Sequence, residues 1–230
     1  DYSVPFDRQP DTRWITRWRL EKKDPTAPLS EPKTPIVFYL DPAAPEPARS
    51  AIRQGVLWWN SAFEQAGFKD AVQVRDPSPD MDPMDIRYSW LLWINRDERG
   101  FSSSGQYIDS RTGEVLGAKV RMDSSRIRTI GQYWDAYQPT IGSASVSAGG
   151  ASLLGGFQQA GVATGAGAEE MMSMRQAVLA AHEVGHTFGF EHNFNGSVNG
   201  RSSVMEYPTP RVKVTSDGRL DLSDAFQPDI

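Results

Sequence analysis

His182-Glu183-Val184-Gly185-His186-Thr187-Phe188-Gly189-Phe190-Glu191-His192 holds all three histidines of the 230-residue chain. On a helix, His182 and His186 stand one turn apart, about 40° around the axis, so both imidazoles project from one face. Glu183 lies about 60° beyond His186, beside whatever the two rings hold rather than aimed at it. That placement suits a general base acting on a metal-activated water. If the helix continued, His192 would fall roughly 9 Å further along and about 100° away from the pair. The chain must therefore turn, and Gly189 accepts the left-handed conformation that ends helices. Three neutral imidazoles leave a fourth zinc position open, the arrangement of a catalytic site rather than a closed structural one. At average residue usage the five fixed positions recur by chance on the order of once in 10⁷ start points, which sets coincidence aside.

Bulk properties narrow the field. A chain of 230 residues can bury one sizeable core. A net charge of −5 without a basic block argues against nucleic acid as a partner. With no cysteine, disulfides and thiolate-ligated zinc are excluded, leaving histidine and carboxylate as ligands. No run of about eighteen apolar residues exists to span a membrane. The sequence opens at Asp1 without a charged-then-apolar leader and ends without a capping or stop pattern, so it reads as a piece of a longer protein with flanking domains expected.

Outward from the motif, periodicity gives an α+β chain. Trp14, Thr16, Trp18 and Leu20 alternate with arginines, as in a half-buried strand, and the two tryptophans suggest packing on a neighbouring domain. A proline- and charge-rich linker, 22–35, follows. Pro35 to Leu40 reads as the first core strand. Ile52, Val56, Trp59, Phe63 and Ala66 give residues 46–66 the strongest helical pattern, stopped at Gly67. Ala71 to Arg75, Ile86 to Ile94 and Val115 to Met122 read as further strands, Gly100 to Asp109 as a Ser/Gly loop, and Ile127 to Tyr137 as a helix. Residues 139–168, small and uncharged, read as a flap ahead of the helix that starts at Glu169-Glu170 and runs to Phe188. A phosphate cradle is rejected there, since no G-K-[ST] follows. Asn193 to Arg201 is turn-rich, and Asn195-Gly196-Ser197 fits the short glycosylation-acceptor pattern.

The histidine stretch is H-E-x-x-H-x-x-G-x-x-H, and it resembles the zinc motif of metzincin metallopeptidases. Ser203-Val204-Met205-Glu206-Tyr207-Pro208, with Met205 thirteen residues after His192, resembles their Met-turn. Arg17-Trp18-Arg19-Leu20-Glu21, Trp58 to Phe68, Asp85-Ile86-Arg87-Tyr88, Arg111-Thr112-Gly113-Glu114 and His192-Asn193-Phe194 are similar to segments of bacterial exported multi-domain zinc-dependent metalloproteases. The resemblance implies a zincin-like fold. An N-terminal arm and linker (1–34) would precede an upper lobe (35–192) with a mixed twisted sheet, a backing helix and an active-site helix, and a short lower lobe (193–230) would follow. It further implies one catalytic Zn²⁺ held by His182, His186 and His192, with Met205 and Gly189 forming the floor of the site, and export to the periplasm, cell surface or medium. Tyr207 would stand where some metzincins carry a tyrosine able to approach the zinc and bind the oxyanion, with a plain wall tyrosine as the alternative. Substrate would add as a strand to an open sheet edge. The expected edge is Val115 to Met122, through Ala118, Lys119 and Val120, with Pro208 and Thr209 walling the pocket next to the scissile bond.

The leading reading is a zinc-dependent endopeptidase acting on proteins or peptides, with Glu183 as general base. Its rival is a silent or autoinhibited zinc-stabilised module that binds peptide or glycan, with residues 139–168 as a plug. A non-haem iron oxygenase fits less well, because those sites pair two histidines with a carboxylate. Imidazole ligands must be unprotonated, so metal occupancy followed by elemental analysis should fall on acidification towards about pH 5. Full occupancy at that pH would count against ligation by three histidines.

Overall fold

The computed structural model describes residues 14–97, 100–137, 167–200, 203–207, 209–216 and 220–226, together with Pro5 and Asp7. Ile36–Leu40 forms β1, with Ile36, Phe38 and Leu40 on the buried face. Val72–Arg75 (β2), Ser89–Ile94 (β3), Ser103–Ile108 (β4) and Val115–Asp123 (β5) complete a five-stranded sheet in the order β2-β1-β3-β5-β4. β1, β2, β3 and β5 run parallel, and β4 is antiparallel to β5. Against one face of the sheet lie α1 (Ala48–Leu57) and the long helix α4 (Ala168–Thr187). Ile52 and Val56 from α1, and Leu179, Ala180 and Val184 from α4, join Phe38, Leu40, Leu91 and Val120 in one apolar cluster. The arrangement is mixed α+β, with a mixed five-stranded sheet backed by helices, as the sequence led one to expect.

The expected single helix over 46–66 is two. α1 ends at Leu57, and α2 (Trp59–Gln65) follows after Trp58. Its apolar stripe holds as far as Phe63, but Ala66 is exposed. Gly67 ends α2 with φ +87°, and the Gly67 and Phe68 amides bond back to the Glu64 and Phe63 carbonyls. The segment read as the strand from Ile86 begins only at Ser89, because Asp85 and Arg87 close a turn through bidentate contacts. The Ser/Gly loop expected over 100–109 is corrected: Ser103–Ile108 is β4. Its small polar residues are poor strand formers, but the ladder offered by β5 overrides propensity.

β5 is also corrected. It lies between β3 and β4, so Val115 to Met122 is no open edge. Ala118 and Val120 are fully buried, and the Lys119 ammonium donates to the Asp85 and Tyr88 carbonyls. Among the described residues, the edge strand beside α4 is β4. At the opposite edge, β2 is covered by side chains. Asn60 both accepts from the Val72 amide and donates to the Val72 carbonyl, and Arg53 donates to the Val74 carbonyl.

The N-terminal arm alternates as expected, with residues 16, 18 and 20 half-buried and 15, 17 and 19 exposed. Among the described residues it bridges the sheet at Arg17 and Glu114. Trp18 meets Phe38 edge-on at 6.3 Å, within this chain rather than against a neighbouring domain, whereas Trp14 is 52% exposed. Residues 1–4, 6 and 8–13 of the arm, and 139–166 of the expected flap, lie outside the described residues. A second apolar cluster covers the other side of α4. Met171, Val178 and Ala181 pack there with Ile130 of α3 (Ser125–Tyr137) and with Val204, Met205, Leu222 and Phe226 from the chain beyond His192. A short hairpin of β6 (Lys213–Val214) and β7 (Leu220–Asp221) completes that region. Among the described residues no helix is long and apolar enough to cross a membrane.

α1 and α4 touch backbone to backbone, since a Cβ at Gly55 would run into the Ala177 carbonyl. In an open helix Gly→Ala gains about 1 kcal/mol. Here overpacking outweighs that gain, and Gly55→Ala should cost about 1–3 kcal/mol in denaturant unfolding. A stabilised variant would refute the close approach.

Candidate metal centre

Three indole and amide donors fix the register of α4. Trp59 Nε1 bonds the Ala181 carbonyl at 2.8 Å, Trp18 Nε1 the Thr187 carbonyl at 2.7 Å, and Gln106 Nε2 of β4 the His186 carbonyl at 2.7 Å. The helix ends as its sequence requires. Gly189 takes φ +95°, its amide bonds the His186 carbonyl, and the Phe190 amide reaches back to Gly185. This double bond pattern satisfies the last carbonyls, and Phe190 then stacks on Trp59 at 5.4 Å. The chain reverses, and the Asn193 amide ties it to the Met205 carbonyl at 2.9 Å.

That reversal brings the three imidazoles together. His186 Nε2 lies 3.2 Å from both His182 Nε2 and His192 Nε2. His182 Nδ1 bonds the Val204 carbonyl at 2.8 Å and His186 Nδ1 the Phe190 carbonyl at 2.7 Å. A carbonyl only accepts, so each of these Nδ1 atoms carries the proton and leaves an Nε2 lone pair facing inward. The ligand atoms lie within 4.8 Å of one another. Around a tetrahedral zinc with bonds of about 2.0–2.1 Å, neighbouring nitrogens stand about 3.4 Å apart, so the donor set fits the ion. Burial pushes His182 down from 6.5 to about 4, with the neighbouring histidines and Arg175 acting the same way. The ring therefore stays neutral across the range in which a free histidine protonates.

Met205 is buried at 4% exposure beneath α4, where a Cβ on Gly185 would collide with its Sδ and with Trp59 Cζ2. The Ser203 hydroxyl accepts from the Met205 amide at 3.1 Å and holds the turn. Tyr207 is 58% exposed, yet its phenol oxygen lies 2.7 Å from His192 Nε2, within reach of the point on which the nitrogens converge. Glu183 is 6% exposed, and burial raises its carboxyl above the usual range. A hydrogen bond from the Ser104 side chain and the positive charges of Arg126 and Arg175 pull it back down.

Two hollows flank these groups. One, of about 650 Å³, is lined by His182 and Glu183, by Phe101, Ser102, Arg126 and Arg175, and by Glu206, Tyr207, Thr209 and Phe226 among others. The other, of about 190 Å³, runs between Ser104-Gly105-Gln106 of β4 and His186, Gly189 and Glu191. Thr209 thus lies at the site, Pro208 lies outside the described residues, and Ala118, Lys119 and Val120 line neither hollow. Sequence reading missed Ser104 and Gln106, hidden in a polar strand. It also missed Arg126 and Arg175, although Arg175 stands seven residues before His182, on the same helical face.

Residues 165–230 match the family model described as Met-zincin. No curated protein and no solved structure matches the chain. The matched segment holds α4, the three histidines and the Met205 turn, so it carries a zinc-metalloprotease-like module. The sheet and α1 lie outside the match.

Gly185 sets the spacing between helix and methionine. Gly185→Ala should weaken zinc binding by about 10–100-fold, as loss of ligand support does elsewhere, measured by competition with a chelator. Unchanged affinity would show that the Met205 floor plays no part in holding the ligands.

Proposed function

We propose that this chain is a zinc-dependent endopeptidase in which Glu183 is the general base. The observation that carries the reading is the position of Glu183: buried beside three converging imidazole nitrogens and opening on the larger hollow with His182. His182, His186 and His192 would hold the ion. Bound there, zinc supplies Lewis acidity that makes water nucleophilic near neutral pH and polarises a carbonyl.

The chain's own groups supply the rest. β4 takes an extended peptide along its outer edge, with main-chain hydrogen bonds fixing the register and the two hollows receiving side chains on either side of the scissile bond. Glu183, with its carboxyl raised by burial, accepts the proton of the attacking water and delivers it to the leaving amine. Tyr207 donates its phenol hydrogen to the oxyanion. Family likeness adds the expectation that the protein works after export, on proteins or peptides.

Peptide mixtures incubated with zinc-loaded protein and read by mass spectrometry test this. Wild type should cut, and a chelator should stop it. Glu183→Gln should keep its zinc and lose about 10²–10⁴-fold in turnover. Tyr207→Phe should lower kcat by about 10²–10³-fold while zinc content and KM hold. Cleavage undiminished in Glu183→Gln would sink the mechanism, and no cleavage by zinc-loaded wild type would favour a binding module.

A further inference from the structure

The larger hollow carries charge that the reaction does not use. Arg126 stands at the start of α3 and Arg175 on α4, and both line the cavity together with Glu183. Arg126 Nε is buried without a hydrogen-bond acceptor, and among the described residues Arg126 enters no ion pair. A buried charged donor left unpaired is unfavourable, so Arg126 lacks an acceptor among the described residues. The Arg175 guanidinium carbon lies 5.6 Å from the Phe226 ring centroid, which fixes its head against an apolar wall.

Among the described residues two acidic groups also line the hollow, and neither pairs with Arg126. Glu183 is committed to proton transfer. Glu206 turns its carboxylate towards the 196–199 turn, where a Cβ on Gly196 would lie 2.9 Å from Oε2. Ser102 and Thr209 add polar side chains to the same walls, and Phe101, Val178 and Leu179 add apolar ones. The cavity, of about 650 Å³, is large enough for one side chain.

Which side of the scissile bond enters follows from the roles. Glu183 hands its proton to the leaving amine, so the residue bearing that amine lies on the Glu183 side, over this hollow. We infer that Arg126 and Arg175 form a carboxylate-binding subsite, and that the protein cuts on the N-terminal side of aspartate or glutamate. The inference rests on the peptidase reading for the word "cuts", but not for the subsite itself.

Matched peptides that differ only in aspartate or asparagine after the scissile bond separate the two. With zinc-loaded wild type, the aspartate peptide should show kcat/KM at least about 10-fold higher, with the advantage shrinking as salt rises. Arg126→Gln combined with Arg175→Gln should bring the pair to near parity, and Arg175→Glu should favour a lysine at that position. Zinc content and the thermal midpoint of each variant check that it folds. The same peptides are titrated calorimetrically into zinc-loaded Glu183→Gln, where the aspartate peptide should bind at least about 10-fold tighter. Tighter binding without any cleavage by wild type would keep the subsite and remove the peptidase reading. Cleavage with equal rates for the pair, or with a preference for apolar residues there, would overturn the subsite and leave the peptidase standing. Equal binding by Glu183→Gln would overturn it as well.

Discussion

Everything at the site hangs from one helix held between two apolar clusters. α4 gives Leu179, Ala180 and Val184 to the sheet side, and Met171, Val178 and Ala181 to the side built by the chain beyond His192. The approach of α1 at Gly55 sets its depth, and the bonds from Trp59, Trp18 and Gln106 set its rotation and its end. A helix covered on both sides cannot turn without exposing one apolar face or the other. His182 and His186 are therefore fixed by packing before any metal arrives. The contact of Gly55 with Ala177, five residues before His182, is thus part of what positions the histidines.

The third histidine is held differently. His192 lies on no helix, and its place depends on the Gly189 reversal and on the Asn193 amide that joins it to the Met205 turn. The Val204 carbonyl from that turn also orients His182. One short segment thus joins the floor to two of the three ligands, and the methionine matters as much for where it puts the backbone as for its side chain.

Much of this was legible in the sequence because the motif residues act locally. The helical spacing of His182, Glu183 and His186, and the need for φ > 0 at Gly189, follow from backbone geometry alone. Strand order did not follow. Val115 to Met122 has the composition of a good strand on either an edge or an interior position, and only the pairing of β4 decides which. β4 itself was hidden because Ser103-Ser104-Gly105-Gln106 carries turn residues where β5 supplies the ladder. Arg126 and Arg175 were equally invisible: lone arginines are ordinary on helices, and their meaning comes from two helices meeting at one cavity. The break at Trp58 escaped because the apolar period runs through it unchanged.

The two edges of the sheet are not equivalent. At β2 the Asn60 amide imitates a neighbouring strand for Val72, and Arg53 occupies the Val74 carbonyl, so the backbone there has little left to offer. At β4 no such cover is present among the described residues. A chain seeking a partner strand therefore meets a molecule with a direction: it can be joined on the histidine side and is refused on the other. Two copies cannot continue one sheet through their β2 edges, and the capacity for strand addition lies on the side of the three histidines.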